Sequence, residues 1–124
     1  MKKTNIETIN INGFEYIKAS EFKKQAVNTE GMNYCIVRTQ NAWVFAWYIK
    51  ERKWDETIIL NARRLWSWSG AASLSQLAVD GVSKPNECKF PCEVDEITVL
   101  QTIEIIPATE KARLSINSVK IWQA

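Results

Sequence analysis

The residues best suited to chemistry lie in one stretch, Asn61 to Ala78, which holds the chain's only adjacent arginines, Arg63 and Arg64, followed by Trp66 and Trp68. A guanidinium pairs with phosphate through two parallel hydrogen bonds, and an indole offers a flat face on which a base stacks. Together they read as a binding surface for a phosphate-bearing ligand, either a signalling nucleotide or single-stranded nucleic acid. Lys111 and Arg113 join the same basic pocket if the fold brings both segments to one side. A plainer reading uses the same residues. Tryptophan is usually well buried, and the two arginines then pair with nearby acids such as Asp55 and Glu56.

Catalytic chemistry has little to work with. The chain has no histidine, which removes Ser-His-Asp and Cys-His catalysis together with the commonest metal ligand. Cys88 and Cys92 are four residues apart, but with Cys35 as the only other cysteine they cannot complete a Cys/His zinc site. Three cysteines also make a poor disulfide framework, so all are read as structural thiols. No carboxylate pair and no activated nucleophile stands out by spacing. The expectation is a binding protein without catalytic activity, metal or cofactor.

These residues must be positioned by a small fold. At 124 residues the chain is long enough for one domain with one core. Its net charge of +2 and pI near 8.4 are mild, so the distribution of charge matters more than the total. Met1-Lys2-Lys3 is followed by Thr4-Asn5-Ile6-Glu7, without the apolar run of a secretory signal, and no window is long enough to span a bilayer. A cytoplasmic setting is expected.

Residues 1–31 read as an arm. Thr8 to Ile11 and Phe14 to Ile17 alternate around Asn12-Gly13, a two-residue hairpin signal. Ser20 caps a short helix from Glu21 to Ala26, and Asn28 to Gly31 is the linker. The core domain is placed at 33–124. Tyr34–Thr39, Trp43–Lys50 and Thr57–Leu60 read as strands, with Glu51 to Asp55 a polar turn. The second strand is apolar on both faces, which calls for burial on two sides or against a partner. Leu65 to Trp68 alternates in part, placing both indoles on one side. Ser69 precedes a helix over 71–80 that Gly81 stops, Ile97 to Ile106 is one long strand, and Thr109 caps a last helix over 109–118.

The architecture predicted is α+β. A mostly antiparallel sheet of four to six strands, arranged as a meander, packs with two helices, and an N-terminal β-hairpin arm lies outside it. A lone hairpin is marginal in water. With the two-faced strand, that points to a homo-oligomer, a dimer first.

Residues 33–124 resemble a family of small bacteriophage and prophage proteins of unknown function. The resemblance runs through Tyr34-Cys35-Ile36-Val37-Arg38-Thr39, Asn61-Ala62-Arg63-Arg64-Leu65-Trp66, Gly70 to Ala78, Cys88-Lys89-Phe90-Pro91, Ile103 to Pro107 and Thr109 to Ala112. It implies a phage accessory protein in the host cytoplasm. Small phage proteins often counter host defence, and sequestration of a signalling nucleotide suits an Arg/Trp pocket by analogy. A structural or protein-interaction module with no nucleotide ligand is the other implied role. Trp43, Trp47 and Trp54 stand where the resemblance leads one to expect glycine, with Lys53-Trp54 in place of an Asn-Gly turn. Three such changes point to divergence or to a UGA codon decoded differently in the source. These tryptophans are therefore left out of the candidate site.

Overall fold

The computed structural model describes the backbone of residues 8–11 and 14–17, and residues 23–123 in full. Strands β1 (Thr8–Ile11) and β2 (Phe14–Ile17) pair antiparallel, with Ile11 opposite Phe14. The expected Asn12-Gly13 turn and the Ser20 cap lie outside the described residues. From Lys23 onward the expected short helix is absent. Gln25 bridges Thr109, and Val27 bridges Asn33. Ala26 is fully buried, its N–H donating to Ala108 O at 2.9 Å and its carbonyl accepting from Tyr34 N at 2.8 Å. Ala26 thus packs in the core between Tyr34 and Ala108. Apolar Ala26 is worth more in the core than as the end of a solvent helix.

The main sheet has five antiparallel strands in the order β6-β5-β4-β3-β7. They are β3 (Tyr34–Thr39), β4 (Val44–Lys53), β5 (Glu56–Arg64), β6 (Val94–Val99) and β7 (Thr102–Pro107). Two helices follow the expected order, α1 (Leu74–Asp80) and α2 (Glu110–Asn117). The α+β architecture with an antiparallel sheet and two helices is as predicted. The expected single strand over 97–106 is two strands, broken at Leu100-Gln101, where Gln101 takes φ 55° without glycine, asparagine or proline to mark it.

That break shapes the sheet. Val99 ends one edge strand and Thr102 begins the other, three residues later, a span of at most about 10 Å. The edges of a flat five-stranded sheet lie about 19 Å apart. The sheet must therefore curl. Register shifts in the β4–β5 ladder at Ala46/Tyr48 and Ile49/Glu51 bend the long hairpin over. Its tip closes on the other edge, where Thr102 N–H donates to Asp55 O at 2.8 Å and the hydroxyls of Thr57 and Thr102 lie 2.9 Å apart.

Curling gives the sheet two apolar sides. On the convex side, Tyr34, Ile36, Val44, Ala46 and Leu65 pack with Leu77 and Ala78 of α1 and Ala112 and Ile116 of α2. Inside the curl lie Cys35, Val37, Phe45, Ile59, Ala62 and Val99. The two-faced apolarity of β4 is thus satisfied within one chain, and it no longer calls for a second copy.

Helix α1 starts later than the sequence suggests. Gly70 has φ 86°, which no helix accepts, and the cap is Ser73, whose hydroxyl accepts from Gln76 N at 3.1 Å. The stop at Gly81 is as expected. With φ 75°, it lies so close to α2 that a Cβ there would sit 2.4 Å from Ser115 Cβ. Glycine is required there by both conformation and space. All three cysteines are free. Among the described residues no helix is long and apolar enough to cross a membrane.

Candidate functional site

The adjacent arginines point to opposite sides of the sheet, because successive strand residues alternate. Arg63 turns toward the helices and is only 3% exposed. All three nitrogens of its guanidinium donate. Nη1 donates to Ile116 O at 3.0 Å, Nη2 to Val119 O at 2.7 Å and Phe90 O at 3.3 Å, and Nε to Pro91 O at 3.3 Å. It also lies over the Phe90 ring, 5.4 Å from the centroid. Ile116 O belongs to the last turn of α2, where the helix dipole favours a cation. Burial lowers its pKa from the ordinary arginine value, with Tyr34 and Glu93 opposing that shift. Arg63 therefore fastens α2 and the loop before β6 to the sheet. Its donors are thus turned to backbone carbonyls inside the fold, away from the surface on which the expected pocket was placed.

Arg64 faces the other way. It sits opposite Phe45 in the β4–β5 register, with its guanidinium carbon 4.8 Å from the centre of the Phe45 ring. Its Nε is buried without a hydrogen-bond partner. Among the described residues no carboxylate pairs with it, so neither Asp55 nor Glu56 takes the role the plainer reading gave them. Two residues on, Trp66 is 44% exposed and stacks at a tilt on Trp43, ring centroids 4.7 Å apart. Between them Leu65 turns into the core and donates its N–H to Val44 O at 2.8 Å. Trp68 is half-buried against the helix-side core, so the two indoles do not share a face as expected. Ser67 bridges Lys89 and ends the alternation.

Lys111 and Arg113 do not join this group. Both ride on α2, which packs on the side of the sheet that Arg63 faces, away from Arg64 and Phe45. Lys111 Nζ pairs with Asp80 at 3.1 Å across the two helices. Arg113 holds Glu110 at 2.8 Å in a largely buried pair. At the start of α1, Ser73 Oγ accepts from Gln76 N at 3.1 Å and Gln76 Oε1 accepts from Ala72 N at 2.7 Å.

What remains is one face with Arg64 laid on Phe45 and Trp66 beside it. A hollow of about 350 Å³, lined by Arg38, Thr39, Gln40, Asn41, Trp43 and Val44, opens at the β3–β4 tip next to Trp43. Arg38 reaches Glu104 on β7 at 3.3 Å, both half-exposed. Phe45 was not legible as part of this face, because only the strand register sets it under Arg64. Chemically the face offers a cation and a stacking plane. Among the described residues, no group of cysteines and carboxylates is placed to hold a metal ion.

Fold and surface define a small α+β protein whose basic–aromatic face lies across the sheet from its helices. The chain belongs to the family described as "Domain of unknown function (DUF6948)", whose profile matches residues 32–116. No curated protein and no solved structure matches the chain.

Proposed function

We propose that this protein is a phage-type, non-enzymatic accessory protein that binds a phosphate-bearing ligand through Arg64 and Trp66. The observation that carries the reading is Arg64 itself. Its guanidinium lies over an aromatic ring, lacks a carboxylate partner among the described residues and keeps a buried donor unsatisfied. Such a donor costs folding free energy unless a ligand or water completes it. The exposed Trp66 indole supplies the second element, a face for a base. A signalling nucleotide and single-stranded nucleic acid share that chemistry, and sequestration of the former in host-defence evasion fits a binder without catalytic groups.

The competing reading is a protein-interaction module, favoured by the exposed apolar pair Trp43 and Trp66. A thermal-shift screen against cyclic dinucleotides, cyclic ADP-ribose isomers, mononucleotides and short oligonucleotides separates the two. A ligand about 100-fold above its Kd adds ~2.7 kcal/mol of stability and moves the melting point by several degrees. Arg64→Ala then weakens binding and flattens its salt dependence. Trp66→Ala costs ~1–3 kcal/mol of binding and leaves the salt slope nearly unchanged. Silence across the screen, or full binding by the Arg64→Ala protein, rejects the nucleotide reading in favour of the interaction module.

A further inference from the structure

Five non-glycine residues among those described have positive φ, and three of them are tryptophans: Trp43 at 72°, Trp47 at 157° and Trp54 at 58°. The other two are Asn61 and Gln101. Asparagine enters this region several-fold more readily than most side chains, whereas a bulky residue there is a genuine outlier. Trp66, Trp68 and Trp122 show no positive φ. The unusual backbone therefore selects half of the six tryptophans.

Each of the three sits where the sheet itself calls for glycine. Trp54 is the first residue of the two-residue β4–β5 turn, Lys53 pairing with Glu56 across it, and Asp55 has no positive φ. That pattern is the hairpin turn that takes glycine at its first central position. Trp43 closes the β3–β4 turn, its carbonyl accepting from Thr39 N at 3.0 Å, and the left-handed residue at the end of such a loop is typically glycine. Trp47 lies at the irregularity where Ala46 pairs with Arg63 and Tyr48 with Leu60, opposite left-handed Asn61. A glycine in a strand often marks such a bend. Packing does not explain the indoles at the turns, since Trp54 is 85% exposed and Trp43 56%. Composition points the same way. The chain has 4 glycines in 124 residues, where average usage gives about nine.

We infer that positions 43, 47 and 54 are glycine in the protein as its source makes it, and that a single codon, read here as tryptophan and there as glycine, accounts for all three. One reassignment explains why three sites with a common backbone demand carry the same ill-suited residue. Independent divergence would need three separate events with one outcome. The inference stands apart from the ligand reading, but it bears on it: glycine at 43 bares the face of Trp66 that Trp43 now covers.

The gene gives the first test. Codons 43, 47 and 54 should be UGA and codons 66, 68 and 122 UGG, and UGG at all six overturns the inference. Mass spectrometry of the protein from its source cells gives the second. Tryptic peptides Thr39–Lys50 and Trp54–Arg63 should carry glycine masses at the three positions, and tryptophan masses there refute it. The third test isolates the backbone. Trp54→Gly should raise the melting temperature by about 4 °C or more, whereas Trp54→Ala, which keeps a Cβ at positive φ, should not. Equal gains from glycine and alanine, or a loss with glycine, count against it. Trp68→Gly, at a position with no positive φ, should lower it.

Discussion

Arg63 and Arg64 are chemically identical neighbours with opposite work. Arg63 spends its donors on four carbonyls from two segments, so Arg63→Ala should destabilise the fold by about 3 kcal/mol or more, since α2 and the loop before β6 lose their shared clamp and Val119 O loses its 2.7 Å donor. Arg63→Lys should recover only part, since an ammonium lacks the planar fork. Arg64→Ala should leave stability within about 1 kcal/mol, because it removes an orphan donor along with a cation–π contact. Urea titration of the three variants checks the ordering. The sequence marked this pair as notable, and strand alternation implied opposite sides. Which side held the helices was not legible, because that depends on where α2 returns, more than forty positions later. Trp68 was misplaced for a related reason: pairing of Ser67 with Lys89 comes from a distant loop, and no local pattern announces it.

At the scale of elements, local chemistry was readable wherever a side chain or a glycine decides the backbone. Thr109 caps α2, its hydroxyl accepting from Ala112 N at 3.1 Å, and Gly81 stops α1. Gly81→Ala should therefore cost about 2 kcal/mol or more, since the new Cβ meets Ser115 and strains the backbone. Ser115 also clamps Val82 through its hydroxyl, accepting from Val82 N and donating to Val82 O, both at 2.9 Å. A melting curve showing Gly81→Ala as stable as the parent would contradict the packing described. Ser69 looked like a cap but lost to Ser73, because Gly70 is held by Ser83, whose N–H donates to Gly70 O at 3.2 Å. The turn between β6 and β7 has no marker residue, so its sequence resembles one continuous strand. Such a turn is set by the two edges it must join.

The whole molecule has an alkaline limit written into its core. Burial pushes the Cys35 thiol up to about 11 and raises the Tyr34 hydroxyl well above its usual value. Both are neutral when protonated, so the folded state holds its protons where the unfolded chain releases them. Stability from these groups is complete below the ordinary thiol value of 9.0 and declines as pH rises through the folded ones. For Cys35 alone the loss is roughly 2–3 kcal/mol once pH passes 11. Tyr34→Phe should soften the decline at its upper end, and it removes a buried hydroxyl with no partner. Denaturation midpoints between pH 7 and 11 test this, and a flat profile would be inconsistent with both groups being buried.

The turn at Leu100-Gln101 joins strands that never pair with each other: β6 belongs to β5, and β7 to β3. Peptide continuity there holds the curl shut without contributing a ladder of its own. A chain cut between these residues should leave two pieces, 1–100 and 101–124, each keeping an adhesive surface for the other. The shorter piece carries β7, which pairs with β3, Thr109, which bridges Gln25 of the longer piece, and α2, whose last turn accepts from Arg63. Exposed loop tips tolerate such cuts best, and Leu100 is 57% exposed. Co-expressed and fused to the halves of a split reporter, the two fragments should restore its signal. The same pair carrying Arg63→Ala should not, because the main anchor for the returning helix is gone.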